Sequence, residues 1–176
     1  MTAKELERLL ALRTGFGQAH LDQTTRALRA AAILPASRRG RGARPLDGRD
    51  VALVLIALAA AEQPAKAPAA VCTYAGLRRA GDESDATLVD TLTRALAHAT
   101  EAARIRTVLV CRSWPMVTIT RPTAFDIGEE RYLPIAGLPA SVHDAPVFCG
   151  LGGRLLQAVA NGMTIEQTVE EVSAVA

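Results

Sequence analysis

Aromatic residues and long hydrophobic runs are scarce in this sequence of 176 residues. Phe, Trp and Tyr together make up 3% of the chain. This scarcity argues against an aromatic-rich β-sandwich, and abundant alanine favours helices that pack through small side chains. The longest apolar run, residues 51–61, is too short for a bilayer, and the N-terminus "MTAKELERLL" carries charges where a signal peptide needs an apolar core. We therefore expect a soluble, cytoplasmic protein with no membrane partner.

Cysteine and histidine are equally sparse. Cys72, Cys111 and Cys149 are an odd number at wide, irregular spacing, which matches neither a disulfide framework nor a C-x-x-C metal motif. The three histidines are also scattered without the spacing of metal ligands. The sequence therefore predicts reduced, mostly buried thiols, no structural metal and no cofactor.

Acidic residues are few at the N-terminal end, where basic residues are concentrated. Residues 1–50 carry ten Lys/Arg against five Asp/Glu, a balance of +5, whereas the whole chain has a net charge of +2. Five of these arginines lie in "ASRRGRGARPLDGRD", residues 36–50. Such asymmetry is typical of a nucleic-acid-binding module joined to an assembly or regulatory module. A plain solvated loop is one alternative for the arginine run, and contact with RNA, anionic lipid or protein is another.

Apolar periodicity predicts three helices in the N-terminal third of the chain. The first covers residues 3–12, where Thr2 and Glu5 fit a capping box. The second covers residues 19–32 and is closed by the "ILP" that follows. The third begins after Asp47, its predicted N-cap, and its nearly continuous apolar surface predicts burial on more than one side.

The remainder of the chain predicts a second module. "QPAKAPAA", residues 63–70, contains two prolines and predicts a linker. The elements expected beyond it are a helix over 71–80, a longer helix over 84–105 capped at Ser84 or Asp85, a β-hairpin over 106–122, and two last helices over 152–161 and 164–175, separated by Gly162 and capped by Thr164. The expected fold class is α+β, mainly α with a small β-hairpin.

The order of the N-terminal elements is that of a winged helix-turn-helix domain. An α-helix fits the major groove of B-DNA, and a glycine-rich basic loop can follow the neighbouring backbone and insert an arginine into the minor groove. Arginine is permanently charged and forked, so it can hold two phosphate oxygens or the edge of a guanine. We predict a DNA-binding domain over residues 1–62, a linker over 63–70 and an oligomerisation or partner-binding domain over 71–176.

The stretch "TTRALRAAAILPASRRGRGARPLDGRDVALVLIALA", residues 24–59, resembles the DNA-binding half of the mercury-resistance-regulator (MerR) family. In that resemblance Thr25 and Arg26 occupy the Leu-Arg position of the recognition helix, "AILP" its end and "RRGRGAR" the wing. The resemblance implies the DNA-reading geometry of the family. It covers 36 of the 176 residues, about a fifth of the chain.

We therefore predict that this protein binds double-stranded DNA at specific sequences. It would be a bacterial or prophage transcription regulator that acts as a homodimer or higher homo-oligomer. A two-fold arrangement would let two small modules read a palindrome. Trp114, at the predicted hairpin tip, could anchor an interface with a protein partner or cap the local core. The candidate DNA-contacting residues are Gln23, Thr24, Arg26, Arg29, Arg38, Arg39, Arg41 and Arg44.

Two other functions are consistent with the residues. A small terminase-like subunit of a phage packaging machine would use the same DNA surface but form a ring. A small enzyme could use Cys149 with His143 and Asp144, although a buried cysteine that acts as a small hydrophobe is the preferred interpretation, and we predict no catalytic activity. The motif "CGLGGR" could offer backbone N–H groups and Arg154 to a phosphate, but it lacks the P-loop lysine, so a flexible entry to the last helices is preferred.

Overall fold

The structure, a computed structural model, describes residues 1–36, 44–81, 85–123, 127–134 and 147–174. The fold is mixed α+β, with helices on one side of an antiparallel sheet, which confirms the predicted class. The elements are α1 (Ala3–Thr14), α2 (Gln18–Ala30), α3 (Gly48–Ala60), a 3-10 turn (Pro64–Lys66), α4 (Ala67–Tyr74), β1 (Arg78–Arg79), α5 (Leu88–Ala97), α6 (Ala99–Ala103), β2 (Thr107–Cys111), β3 (Met116–Pro122), β4 (Ile127–Leu133), β5 (Phe148–Gly152) and α7 (Gly153–Ala174).

The first three helices form where the sequence predicts them. The capping box at the start of α1 is confirmed, because Thr2 caps the backbone N–H of Glu5 and the Glu5 carboxylate accepts from Thr2 N. Asp47 caps α3 in the same way with Asp50 as its partner. Leu46 N donates to Met1 O, so the starts of α1 and α3 lie side by side.

Helix α2 ends in a left-handed residue that is not glycine. Ala32 has φ 55°, Ile33 N donates to Leu28 O and Ala32 N donates to Arg29 O. This is the hydrogen-bond pattern of a Schellman motif, in which glycine is the usual left-handed residue. The motif turns the chain toward the arginine-rich segment. Leu34, two residues after Ala32, is buried in the core.

Helix α3 lies at the centre of the molecule. Every residue from Asp50 to Ala60 is buried, which confirms the predicted burial on several sides. Helices α2, α4 and α5 and strands β2 and β5 all contact α3. Arg112, which follows β2, donates from Nε to Ala59 O at 2.7 Å and so satisfies a carbonyl at the end of α3. One apolar cluster extends from α1 through α3 to the sheet and α7.

The stretch over 63–70, predicted as a linker, has regular secondary structure. Pro64 begins a 3-10 turn and Pro68 lies in the first turn of α4. Proline is well tolerated there, because the first N–H groups of a helix have no intrahelical acceptor. Ala67 and Val71 of α4 are buried in the same apolar cluster as α3. The predicted division of the chain at this point into two domains stays a prediction.

The long helix predicted over 84–105 is two helices. The N-cap is Thr87, in a capping box with Asp90, rather than Asp85, and Ser84 lies outside the described residues. His98 is extended and separates α5 from α6. The helix predicted over 71–80 instead begins at Ala67 and ends at Tyr74.

The predicted hairpin is confirmed, and it forms the centre of a larger sheet. Strands β2 and β3 pair antiparallel with Thr107 opposite Thr120 and Cys111 opposite Met116. The five strands are arranged in the order β1-β4-β3-β2-β5, with antiparallel neighbours. Val108, Val117 and Tyr132 are buried, so the sheet packs against the helices on this face.

The two last predicted helices are one helix. Helix α7 continues from Gly153 to Ala174 through Gly162, which we had expected to end a helix, and Thr164 lies inside it. A Cβ on Gly162 would lie 3.6 Å from Met1 Sδ and 3.7 Å from Leu9 Cδ1, which is ordinary van der Waals contact, so α7 lies beside α1 here without depending on the glycine. In the described part of the chain, every helix is too short or too polar to cross a bilayer.

Candidate nucleic-acid interface

Helix α2 has an inward apolar side and an outward polar side. Leu21, Thr25 and Leu28 are buried, whereas Gln23 and Arg26 are exposed. Gln23 and Arg26 are three residues apart, which places them on the same face of the helix. Two of the predicted DNA-contacting side chains therefore share a solvent-exposed stripe.

Thr24 is not part of this stripe. Its side chain is buried and its hydroxyl donates to His20 O at 2.8 Å, so Thr24 lies away from the exposed stripe, and its predicted contact with DNA stays a prediction. Thr24 directly follows Gln23, so it lies about 100° further around a helix with 3.6 residues per turn. The role of Thr24 is to pack α2 against the core.

Arg26 is paired within its own helix. Arg26 Nη2 lies 3.0 Å from Asp22 Oδ2, and the two side chains are 74% and 42% exposed. Such an exposed pair four residues apart contributes only about 0.3–0.5 kcal/mol to the helix. The guanidinium can therefore exchange this carboxylate for another anion at small cost.

Arg29 is half-buried, and its Nε is buried without a hydrogen-bond acceptor among the described residues. Arg29 is therefore less accessible than Arg26, which is exposed. The other nitrogens of its guanidinium are the part that could reach a ligand, since the side chain keeps partial exposure.

Of the arginine-rich segment, the structure describes residues 36 and 44–50. Arg38, Arg39 and Arg41 lie outside the described residues. Arg44 is exposed, and its Nη2 is 3.9 Å from Asp47 Oδ2, at the long limit of an ion pair. Its position follows from the Leu46 to Met1 hydrogen bond and the Asp47 cap, which fix the chain immediately after it.

The residues proposed for a cysteine enzyme are not brought together in the described structure. Cys149 is half-buried on β5 opposite Val110, while His143 and Asp144 lie outside the described residues. Cys111 is buried, and Cys72 is exposed, contrary to the expected burial of the thiols. In the described parts of the chain, no three His, Cys, Asp or Glu side chains are arranged to hold a metal ion.

Trp114 follows β2 in the hairpin turn and is half-buried. Its Nε1 is buried without an acceptor among the described residues, and its carbonyl accepts a 3.3 Å hydrogen bond from Tyr74 Oη. Tyr74 Oη also donates to Cys111 O at 2.5 Å, and burial raises the pKa of Tyr74 to about 12. The phenol therefore stays protonated near neutrality and fixes the hairpin turn against α4.

A second basic region was missed by the sequence reasoning. It lies at the end of the sheet where β2 begins and β3 ends, and its arginines are far apart in the sequence. The residues that line its two cavities include Arg94, Arg104, Arg106, Arg121 and Arg154. Only Arg154 could have been singled out beforehand, because it follows the glycines of "CGLGGR". In the structure this motif is strand β5 followed by the start of α7.

Comparison of the chain with protein-family models, with curated proteins and with solved structures finds no match. The resemblance to the mercury-resistance-regulator family therefore stays a prediction based on residues 24–59.

Proposed function

We propose that this protein binds double-stranded DNA through α2 and the arginine-rich segment that follows it, and acts as a sequence-specific transcription regulator. The observation that carries the proposal is the exposed stripe of Gln23 and Arg26 on a helix that leads directly into the segment containing Arg38, Arg39, Arg41 and Arg44. Amide and guanidinium groups are the side chains that read adenine and guanine edges in the major groove.

The energetics of Arg26 fit this role. Its pair with Asp22 is exposed and contributes only about 0.3–0.5 kcal/mol, so breaking it costs little. The released guanidinium can then pair with a phosphate or with the edge of a guanine. Asp22 also places a negative charge beside the bound DNA, which limits non-specific affinity.

The arginine-rich segment supplies the larger part of the affinity. Neutralised phosphates release counterions, so log K falls with log salt by roughly 0.9 per phosphate on B-DNA. Four arginines next to α2 would contribute a slope of roughly 3–4 units. A homodimer would double both sets of contacts and read a palindromic site.

The test is fluorescence anisotropy with labelled random duplex DNA over a salt series. The variant with Arg38, Arg39, Arg41 and Arg44 replaced by alanine should lose roughly 3 units of slope. Arg26→Gln should bind DNA about tenfold more weakly, and Asp22→Asn should bind more tightly, because each changes the charge on the proposed surface.

Arg131→Gln is the matched control for Arg26→Gln. Arg131 is an exposed arginine on β4, paired at 3.7 Å with Glu129, so the variant loses the same charge on a different element. Wild type that fails to bind duplex DNA at low salt would contradict the proposal. An equal loss of affinity in Arg26→Gln and Arg131→Gln would mean that only net charge matters.

A further inference from the structure

A cavity of about 510 Å³ opens where β2 begins and α7 starts. Its walls include Arg106, which directly precedes β2, and Arg154 in the first turn of α7, together with Thr107 and Gln157. Arg106, Arg154 and Gln157 are exposed. The volume is within the usual range for small-ligand pockets, about 300–1,000 Å³.

A close backbone approach holds the two arginines at this cavity. Gly153 N donates to Arg106 O at 2.9 Å, and Arg106 N donates to Thr120 O at 2.8 Å. A Cβ on Gly153 would lie only 1.8 Å from Ile105 O, so the start of α7 can lie here only because residue 153 is glycine. These contacts fix the backbone next to Arg106 and Arg154, so both residues line the same cavity.

Within the part of the chain that the structure describes, no acidic side chain neutralises the charge of this cavity. Among the described residues, no Asp or Glu lines it, and neither Arg106 nor Arg154 has an ion-pair partner. The neighbouring cavity, of about 280 Å³, is different. There Arg104 pairs with Glu101 at 2.9 Å, and Arg121 pairs with Glu130 at 3.2 Å.

Clefts lined by charge of one sign concentrate the electric field and attract counter-ions. Of the two cavities, the one with Arg106 and Arg154 is therefore the stronger attractor of an anion. The forked guanidinium matches the oxygens of a phosphate, and the Thr107 hydroxyl and Gln157 amide provide neutral donors beside it.

We propose that this cavity binds the phosphate group of a small phosphorylated molecule. A concave site of this size accepts a small molecule, whereas a duplex presents its phosphates on a convex surface. The residues differ from those of the proposed DNA surface, so this proposal does not rest on DNA binding by α2.

The test is isothermal titration calorimetry with inorganic pyrophosphate as the probe, at low ionic strength and without added metal. Wild type should bind pyrophosphate, and Arg106→Gln/Arg154→Gln should bind it at least about tenfold more weakly, because two charge-assisted contacts are lost. The control, Arg8→Gln/Arg13→Gln, removes the same charge from exposed positions of α1 and should retain wild-type affinity. Circular dichroism checks the fold of each variant, and since Arg106 and Arg154 are exposed, the core should be unaffected.

Three results would overturn the proposal. The first is the absence of pyrophosphate binding to wild type. The second is an equal loss of affinity in the two double variants. The third is a loss of affinity for duplex DNA in Arg106→Gln/Arg154→Gln while its affinity for pyrophosphate stays at the wild-type value, which would make these arginines contacts for a nucleic-acid backbone.

Discussion

Glu7 of α1 and Thr25 of α2 share a buried hydrogen bond: Thr25 Oγ1 donates to Glu7 Oε1 at 2.5 Å. Gln18 Nε2 also donates to the Glu7 carboxylate at 3.3 Å. Glu7 is 6% exposed, so it depends on these donors for the hydrogen bonds that water would otherwise supply. The pair connects the two helices of the proposed helix-turn-helix unit.

Thr25→Val should lower the free energy of unfolding by about 1–3 kcal/mol, because it removes a donor from a buried carboxylate with little change in shape. Urea unfolding measures the loss. Thr73→Val is the control: Thr73 Oγ1 bonds only to Ala69 O at the surface of α4, and its loss should cost less than about 0.5 kcal/mol. Equal losses in the two variants would show that the Glu7 contact contributes nothing.

Ala32→Gly should stabilise the protein by about 0.5–1 kcal/mol. Ala32 has φ 55°, a conformation that costs an L-residue with a Cβ about 1–2 kcal/mol and costs glycine little. Thermal unfolding should show a higher midpoint. Ala27→Gly, inside α2, should have the opposite effect of similar size, because glycine is a poor helix former. A destabilised Ala32→Gly variant would contradict the left-handed assignment.

Gly153→Ala should destabilise the protein by about 3 kcal/mol or more, since the new Cβ would collide with the Ile105 backbone carbonyl. Gly152→Ala is the neighbouring control, because no atom lies within 4 Å of its Cβ position, and it should change stability by less than about 1 kcal/mol. Soluble yield and urea unfolding compare them. If both variants are equally stable, the close approach of α7 to β2 is incorrect.

Asp90→Asn should destabilise the protein by about 0.5–1 kcal/mol near pH ~7, and by less near pH ~2. Hydrogen bonds from the Thr87 hydroxyl and backbone hold the pKa of Asp90 below its usual value of 3.8. The carboxylate therefore contributes stability above the unfolded-state pKa, and this contribution is lost as the pH falls through the lower folded-state pKa. Urea midpoints of both proteins at the two pH values give the difference.

Asp85→Asn provides the comparison for Asp90. Asp85 pairs with Arg78 at 2.6 Å, but its side chain is 89% exposed, so the change should be under about 0.5 kcal/mol near pH ~7. A difference between wild type and Asp90→Asn that is the same at both pH values would mean that the charge of Asp90 has no part in the effect.

Local signals predicted the N-terminal helices well. Thr2 and Asp47 are side chains that cap helices through their own neighbours, so their effect is visible in a few consecutive residues. The β2–β3 hairpin is equally local, since its alternating residues pair across a short turn. The predictions fail where contacts between residues that are distant in the sequence determine the structure. Gly162 lies inside α7, where the helix packs beside Met1 and Leu9, and no pattern near residue 162 predicts that packing.

Strands β4 and β5 were missed for a related reason. Strand β4 has the sequence "IGEERYL", in which only Tyr132 is buried, and β5, "FCGLG", contains two glycines. Strand β4 has one β-branched residue, Ile127, and β5 has none, so the residue types that mark a strand are few and pairing with the hairpin determines their structure. In the candidate interface, the positions of Gln23 and Arg26 on the outer side of α2 follow from helical periodicity.

The second basic region could not be predicted from periodicity, because its arginines are far apart in the sequence and come together only when the sheet forms.

The burial of α3 from Asp50 to Ala60 limits where this protein can be truncated. Its residues from Asp50 to Ala60 contact both the preceding helices and the elements that follow. A fragment that ends near residue 62 would expose the sides of α3 that now pack against α4, α5 and the sheet. We therefore expect the truncated fragment to aggregate. The helices that flank the arginine-rich segment thus need the rest of the chain in order to fold.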